Sequence, residues 1–207
     1  MLCSYNGKGE ITLPRFGETE KENIRQNLLT EGERLFLTYG LKKVTIDDLI
    51  EAVNIAKATF YSFYESKEYL YMDIVQGIQK KIFMELETVL ENNAKLPSRE
   101  RVRQVFGRMT QLMTQYPILS KIDQTTVDLI SRKVKKERMA AFVKQNLDAA
   151  QSLYNHGVRF ICEVKIASII FQTLYHCFIN MHIGSKEEQT IAIELMLNGI
   201  IDNIVED

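Results

Sequence analysis

The sequence has few of the residues that interrupt helices. Three prolines and ten glycines occur in 207 residues. The stretches between them are rich in Leu, Glu, Lys, Gln, Met and Ala, which favour helices. This composition predicts a mainly helical fold with almost no sheet. With 45% apolar residues, the chain can bury a core in one domain or in two small ones.

The chain also lacks the cysteine pattern of a disulfide framework or a metal site. Cys3, Cys162 and Cys177 are odd in number and widely spaced, which argues against both. His176 and His182 are six residues apart, so they lie about 240° apart around a helix and form no expected metal site. We therefore expect a protein of the reducing cytoplasm, without a metal or another cofactor.

A segment that could enter a membrane is missing as well. Residues 1–17 hold three glycines and a proline, and they contain no apolar run of signal-peptide length. Nowhere does the chain offer the run of about 18 apolar residues that a spanning helix needs. We expect a protein that does not contact membranes, with residues 1–17 as a flexible N-terminal arm.

The charge of the chain excludes little. Its formal net charge is −1, and residues 1–70 hold nine Lys and Arg against eleven Asp and Glu. This balance counts against nucleic-acid binding, but phosphate contact depends on where a few cations and backbone N–H groups point. The basic run at 132–138 is interpreted as a solvated connector between helices rather than a nucleic-acid patch.

From Glu18 the sequence shows the apolar periodicity of a first helix. Apolar residues recur at three- and four-residue steps, and Gly32 on the same side leaves room for another backbone. Gly40 predicts the C-terminus of this helix, because glycine commonly caps helices. The predicted buried face consists of Ile24, Leu28, Leu35, Phe36 and Tyr39.

Two short helices are predicted next. Thr45, followed three residues later by Asp48, indicates a capping box at the start of a helix over 45–53. Asn54 tolerates a left-handed backbone and predicts a tight turn. A third helix is expected over residues 57–63.

A long helix of about 27 residues should then follow Ser66, whose hydroxyl is a suitable N-cap. It is expected to end at Asn92 or Asn93, where the sequence NNAKLP breaks the pattern. The helices predicted after this break cover residues 98–115, 118–134, 137–155, 163–182 and 187–205.

Two short helices joined by a tight turn after a packing helix form a helix-turn-helix, whose second helix can lie in a DNA major groove. Over about residues 22–72 the sequence resembles, without gaps, the N-terminal signature of the TetR family of bacterial transcriptional regulators. The residues that carry the resemblance are Leu28, Leu29, Leu35, Phe36, Gly40, Thr45, Leu49, Lys57, Thr59, Phe60, Tyr61, Ser66, Lys67, Glu68 and Leu70.

The resemblance implies an all-α protein of about nine helices that acts as a homodimer. It places a helix-turn-helix domain at 18–66, joined by the long helix to a ligand-binding and dimerisation bundle within 67–207. The third helix would read an operator in double-stranded DNA, and a small molecule would act as effector. The implied backbone anchors are Thr45, Tyr61 and Lys67, and base or backbone contacts are implied for Lys57, Ala58, Thr59 and Ser62.

Some positions depart from the family pattern. Asn54 replaces the usual turn glycine, and Ala56 replaces a capping serine, a loss of about 0.5–2 kcal/mol. Phe63 and Tyr64 stand where the family usually has Tyr-Phe or His-Phe, so Phe63 offers no hydrogen bond to a phosphate. Either Tyr64 supplies a hydroxyl from a neighbouring angle, or each subunit has one anchor fewer.

Methionines and aromatic residues are dispersed at helical spacings through the C-terminal region. Such side chains form either core or the lining of an apolar pocket, and the pattern does not separate the two. His156, Tyr175 and His176 are candidate polar groups for a ligand. The candidate pocket residues are Phe106, Met109, Met113, Phe142, Tyr154, Phe171 and Tyr175.

The last two predicted helices have apolar sets too wide for a helix packed on one neighbour. We expect two copies of this pair to form an intersubunit four-helix bundle, as the resemblance also implies; burial within one monomer is the alternative. The candidate dimer-interface residues are Ile166, Ile170, Thr173, Phe178, Ile193, Met196 and Ile200.

The resulting hypothesis is a repressor that binds a palindromic operator as a homodimer and is released by a small, largely apolar ligand. Activation from a different operator position stays open. A helical enzyme would need a nucleophile or an acid–base pair, and no such constellation is identifiable. A scaffold that binds only protein would leave the signature at 45–70 without a purpose.

Overall fold

A computed structural model describes residues 17–139, 149–179, 181 and 183–207. Across these residues the chain is helical, and its β structure is limited to an isolated antiparallel bridge between Phe160 and Val205. The predicted all-α fold class is therefore confirmed. None of the described helices is long and apolar enough to cross a membrane. The chain forms two compact units, residues 1–71 and 72–207.

The first unit begins with a helix whose end is shaped by one glycine. Helix α1 covers Glu18–Lys43, and Gly40 interrupts it with a φ of 79°. Glycine adopts this positive φ without steric cost. The sequence predicted that the helix ends at Gly40; the structure has a break there, after which a short turn continues to Lys43. The buried face includes four of the five predicted residues, Ile24, Leu28, Leu35 and Phe36, whereas Tyr39 is exposed.

Helix α2, Ile46–Val53, starts at the predicted capping box. The Thr45 hydroxyl accepts a hydrogen bond from the Asp48 N–H at 3.1 Å, and the Asp48 carboxylate accepts one from the Thr45 N–H at 2.8 Å. These bonds lower the pKa of the Asp48 carboxyl, the backbone N–H of Thr45 contributing most. Asn54 then adopts the left-handed conformation that the sequence predicts, with a φ of 56°.

Helix α3, Lys57–Phe63, has the predicted bounds, and helix α4 covers Lys67–Asn92. Phe60 is fully buried in the first unit, with its ring 6.1 Å from that of Tyr64. The carbonyl of Ser66 accepts the first backbone bond of α4 from Leu70. The prediction that the Ser66 hydroxyl caps α4 is wrong, because this buried hydroxyl has no hydrogen-bond partner among the described atoms.

The Lys67 side chain connects the start of α4 to the end of α1. Its ammonium donates hydrogen bonds to the carbonyl oxygens of Leu41 at 2.8 Å, of Lys42 at 3.3 Å, and of Val44. An ammonium group has three N–H donors, so all three are used within the first unit. Partial burial lowers the pKa of Lys67, which the carboxylates of Glu68 and Asp48 oppose.

The second unit holds the rest of α4 and the remaining helices. Its helices α5, α6, α7, α8 and α9 cover Ser98–Gln115, Gln124–Lys133, Ala149–Asn155, Val164–Ile179 and Lys186–Ile204. Helix α9 packs on α5 and α8, and α7 packs on α8. Phe171 of α8 lies between two other aromatic rings, 4.7 Å from Phe106 and 6.0 Å from Phe160.

Two helix boundaries of the second unit differ from the sequence prediction. The helix expected over 118–134 is divided into a 3-10 helix, Pro117–Lys121, and α6. The Asp123 carboxylate accepts a hydrogen bond from the Thr126 N–H at 2.7 Å, which starts a new helix there. Ser185 and Glu188 form an unpredicted capping box at the start of α9.

The helix predicted over 137–155 is described at its ends, over 136–139 and in α7. Its middle lies outside the described residues. Helix α8 begins within one residue of the predicted start, at Val164.

Replacing Lys67 by Met should lower the free energy of unfolding by about 1–2 kcal/mol, because three carbonyl groups lose a charged donor at a half-exposed position. Thermal and urea unfolding of the whole chain, followed by helical circular dichroism, measures this change. Lys80→Met, at an exposed position of the same helix, is the matched control and should shift stability by less than about 0.5 kcal/mol. Equal stability of the two variants would contradict the role of Lys67.

Candidate nucleic-acid interface

Helix α3 presents one polar face to solvent. Lys57, Ala58, Tyr61 and Ser62 are exposed, Tyr61 to 51%. Steps of three and four residues connect these positions, so they form one continuous face of the helix. A face of short and hydrogen-bonding side chains on the second helix of a helix-turn-helix is suited to a major groove.

Lys57 is held by a residue of the preceding helix. Its ammonium lies 2.9 Å from a carboxylate oxygen of Asp47, and this hydrogen bond raises the pKa of Lys57. A raised pKa keeps the ammonium charged, and the stabilisation is lost only as the pH rises through that value. Both side chains are largely exposed, so the pair is weak and can exchange for a phosphate or a base edge. Sequence spacing gave no signal for this pair, since the two residues are ten positions apart.

Thr59 does not share the exposed face. It is 8% exposed, and its carbonyl accepts a hydrogen bond from the Ser62 hydroxyl at 2.6 Å. Its neighbour Phe60 is fully buried, which places this side of α3 against the core. Thr59 therefore lies on the packed side of the helix, and its predicted contact with DNA stays a prediction.

Tyr64 does not replace the missing anchor at Phe63. Its side chain is 6% exposed, its hydroxyl is buried, and its ring packs beside Phe60. The alternative in which Tyr64 reaches a phosphate is therefore corrected. Phe63 is half-buried and has no polar group. The swapped pair thus places an aromatic ring in the core and leaves no exposed hydroxyl at either position.

The two other implied anchors, Thr45 and Lys67, already make hydrogen bonds within the first unit. Thr45 is exposed at the N-terminus of α2, and its hydroxyl also donates to Asp48 at 2.7 Å. Lys67 is half-buried, and a phosphate contact would require it to release one of its three carbonyl partners. Sequence reasoning missed this second role because the carbonyl groups lie more than twenty positions before Lys67.

The candidate pocket residues divide by exposure. Phe106, Met113 and Phe171 are buried, and Met109 and Tyr175 are half-buried. Burial raises the pKa of the Tyr175 hydroxyl. Phe142 lies outside the described residues.

Tyr154 does not join the buried pocket candidates. It is largely exposed, with the Arg159 guanidinium 4.6 Å from its ring centre. Its expected place in an apolar pocket is corrected to a surface cation–π pair.

The candidate dimer residues also divide by exposure. Ile166, Thr173 and Met196 are exposed, and Ile170 and Ile200 are half-buried. Ile193 is corrected, because at 6% exposure it belongs to the core of the second unit. The Phe178 side chain lies outside the described part of the chain. Further apolar side chains, Ile169, Ile191 and Leu195, are exposed on α8 and α9.

Known proteins resemble this chain over its N-terminal helices or over most of its length. Residues 28–74 match the model of the family described as "Bacterial regulatory proteins, tetR family". The HTH-type transcriptional regulator YhgD of Bacillus subtilis is 22% identical over 156 residues, which are 73% of this chain and 80% of the relative. The HTH-type transcriptional repressor DhaR of a Mycobacterium species is 26% identical over 90 residues, 44% of this chain and 45% of that protein.

The fold is also shared with solved structures. The ketosteroid transcriptional regulator KstR2 of Mycobacterium tuberculosis superposes with a TM-score of 0.60 at 16% sequence identity, over 88% of this chain and 95% of that one. This likeness concerns the fold over 88% of the chain, whereas the family match concerns residues 28–74. Regulators of the TetR family are DNA-binding transcription factors rather than enzymes. The matched segment, residues 28–74, is that of a TetR-family helix-turn-helix transcriptional regulator.

Proposed function

We propose that this regulator is a repressor that binds a palindromic operator as a homodimer and is released by a small effector. The observation that carries the proposal is the exposed face of α3, formed by Lys57, Ala58, Tyr61 and Ser62 behind a capped helix and a left-handed turn. The relative DhaR is a transcriptional repressor by name, which supports repression.

Each exposed residue has a role that its chemistry allows. Lys57 can donate to the acceptors of a guanine edge, and Ala58 lets the helix approach the base pairs closely. Tyr61, Ser62 and the Thr45 hydroxyl are donors for phosphate oxygens, which fix the position of the helix. Lys67 contributes positive charge and holds the end of α1.

The homodimer is proposed from the exposed apolar side chains of the last two helices. Ile166 and Ile169 on α8, with Ile191, Leu195 and Met196 on α9, form an apolar surface of the kind that marks an interface. In a two-fold dimer, the two α3 helices would enter successive major grooves about 34–36 Å apart. Operator symmetry would follow from protein symmetry.

Release is proposed to follow from differential affinity. An effector that binds the conformer unable to bind DNA more tightly would shift the population toward it, typically with about 1–3 kcal/mol of coupling. The buried Phe106, Met113 and Phe171 supply apolar surface in the second unit. KstR2 is a ketosteroid regulator by its title, which is consistent with an apolar effector in this fold.

The purified protein should select a palindromic sequence from a randomised duplex library. Binding to the selected duplex should exceed binding to random duplex by about 10³-fold or more, since base contacts add to a salt-dependent phosphate term. Titration at several salt concentrations measures both. Equal affinity for the two duplexes at moderate salt would refute the proposal.

Lys57→Ala should relax the preference for one base pair in each half-site by about 1–3 kcal/mol, because it removes a donor to a base edge. Repeating the selection with the variant measures this change. Lys80→Ala, at an exposed position of α4, is the control and should leave the profile unaltered. A Lys57→Ala profile identical to that of the wild type would reassign Lys57 to the phosphate backbone.

Leu195→Glu should separate the subunits, because it places a charge within the proposed apolar interface. We expect the dimer dissociation constant to rise by about tenfold or more, with a parallel loss of operator binding. Sedimentation equilibrium measures the first effect. Ile161→Glu, at an exposed isoleucine of the second unit outside the proposed interface, is the matched control. A Leu195→Glu variant that stays dimeric would place the interface elsewhere.

A further inference from the structure

The second unit contains one buried charged side chain among its described residues, that of Arg101. It lies in the first turn of α5 and is 7% exposed. A guanidinium group does not lose its proton in a protein, so burial leaves a full positive charge inside the unit. Burial of a charge is costly unless it is paired and hydrogen-bonded.

The hydrogen bonds of Arg101 do not meet that requirement. Its Nη2 donates to the carbonyl oxygen of His156 at 2.5 Å. Its Nε is buried and has no hydrogen-bond partner among the described atoms. Since a guanidinium has five N–H donors, one carbonyl leaves most of them unused. No described carboxylate forms an ion pair with Arg101.

Four other arginines of the same unit differ from Arg101 in this respect. Each has a carboxylate partner although its side chain is partly exposed, and the pairs are Arg99 with Asp207, Arg103 with Asp202, Arg108 with Glu85 and Arg138 with Asp73. Arg132 and Arg159 have no described carboxylate partner either, but both are exposed to water. Arg101 is the buried arginine without an acid among the described residues of this unit.

Glu87, the carboxylate that contacts His156, already has two partners of its own. Glu87 accepts a hydrogen bond from the Ser152 hydroxyl, and its other oxygen lies 3.2 Å from His156 Nε2. Position 157 is a glycine, and a side-chain carbon built there would lie 4.0 Å from Arg101 Nη1. Among the described residues, the guanidinium therefore has one carbonyl acceptor and no carboxylate partner.

A structural role accounts for part of this arrangement. The His156 carbonyl follows the C-terminus of α7, where a cation is favourable, so Arg101 stabilises that helix end. Arg101 is, however, also in the first turn of α5, where the helix dipole disfavours a cation and favours an anion. The hydrogen bond to the His156 carbonyl explains neither the unpartnered Nε donor nor a cation at the N-terminus of α5.

We propose that Arg101 binds the oxyanion head group of the effector, a carboxylate or a phosphate that carries an apolar tail. This proposal rests on the proposed function, since it names the chemical class of the effector. A planar guanidinium matches such oxyanions through paired hydrogen bonds. Helix α5 continues from Arg101 to the buried Val105 and Phe106. The Phe106 ring lies 4.7 Å from that of Phe171, and these side chains supply an apolar environment for the tail.

The test uses the whole protein without DNA and three probes with the same eight-carbon tail: octanoate, octyl phosphate and the uncharged octanamide. At equal millimolar concentration, at least one oxyanion should raise the thermal unfolding midpoint more than octanamide does. Whichever oxyanion gives the larger rise identifies the head group. Isothermal titration should show that Arg101→Gln weakens binding of that probe by about 10- to 100-fold and leaves octanamide binding unchanged.

Arg103→Gln is the matched control, because Arg103 lies on the same helix and pairs with Asp202 at the surface. It should keep the preference for the oxyanion. Arg101→Lys keeps the charge without the planar donors, and an intermediate loss of affinity is expected.

Equal midpoint shifts for all three probes in the wild type would overturn the proposal without any variant. An oxyanion preference that persists in a folded Arg101→Gln protein would overturn it too, and would leave Arg101 as a helix cap. Sequence-selective DNA binding is measured separately on the unliganded protein, so its failure would be distinguishable from the failure of this inference.

Discussion

The DNA-facing surface of the first unit depends on how the end of α1 is stabilised. Gly40 breaks the helix with a positive φ, and this break exposes carbonyl groups that the remaining turn cannot satisfy. The Lys67 ammonium, at the start of α4, donates hydrogen bonds to three carbonyl groups at this helix end. The capping box of Thr45 and Asp48 starts α2 immediately afterwards. Three helices are thereby joined at one point, and the direction of α3 follows from the turn at Asn54.

One consequence is that several polar groups assigned to DNA are already used in the free protein. The Lys57 ammonium pairs with the Asp47 carboxylate, and the Thr45 hydroxyl donates a hydrogen bond to the Asp48 carboxylate. The Lys67 ammonium donates to three carbonyl groups. Exposed pairs of this kind are weak, so exchanging them for phosphate contacts costs little. The half-buried Lys67 is different, because releasing a carbonyl there would weaken the junction that positions α3. We therefore expect its contribution to DNA binding to be mainly electrostatic and structural.

The second unit follows an unequal distribution of charge. Four partly exposed arginines have carboxylates, whereas the buried Arg101 has a carbonyl and an unsatisfied Nε. Because desolvation makes the buried cation the most expensive of the set, its missing anion is more informative than the four pairs that are present. On the proposed function, an anionic effector would supply the partner that this cation lacks.

The sequence by itself determined what depends on neighbouring residues: the helical class, the bounds of α3, the break at Gly40, the Thr45–Asp48 capping box and the left-handed Asn54. Tertiary structure decided which sides of these helices are buried. In a helix of seven residues with aromatic residues in several directions, periodicity does not define the inner face, so packing placed Thr59 and Tyr64 in the core. Likewise, the partners of Lys67 and the isolation of Arg101 arise between residues distant in the chain, where spacing carries no information.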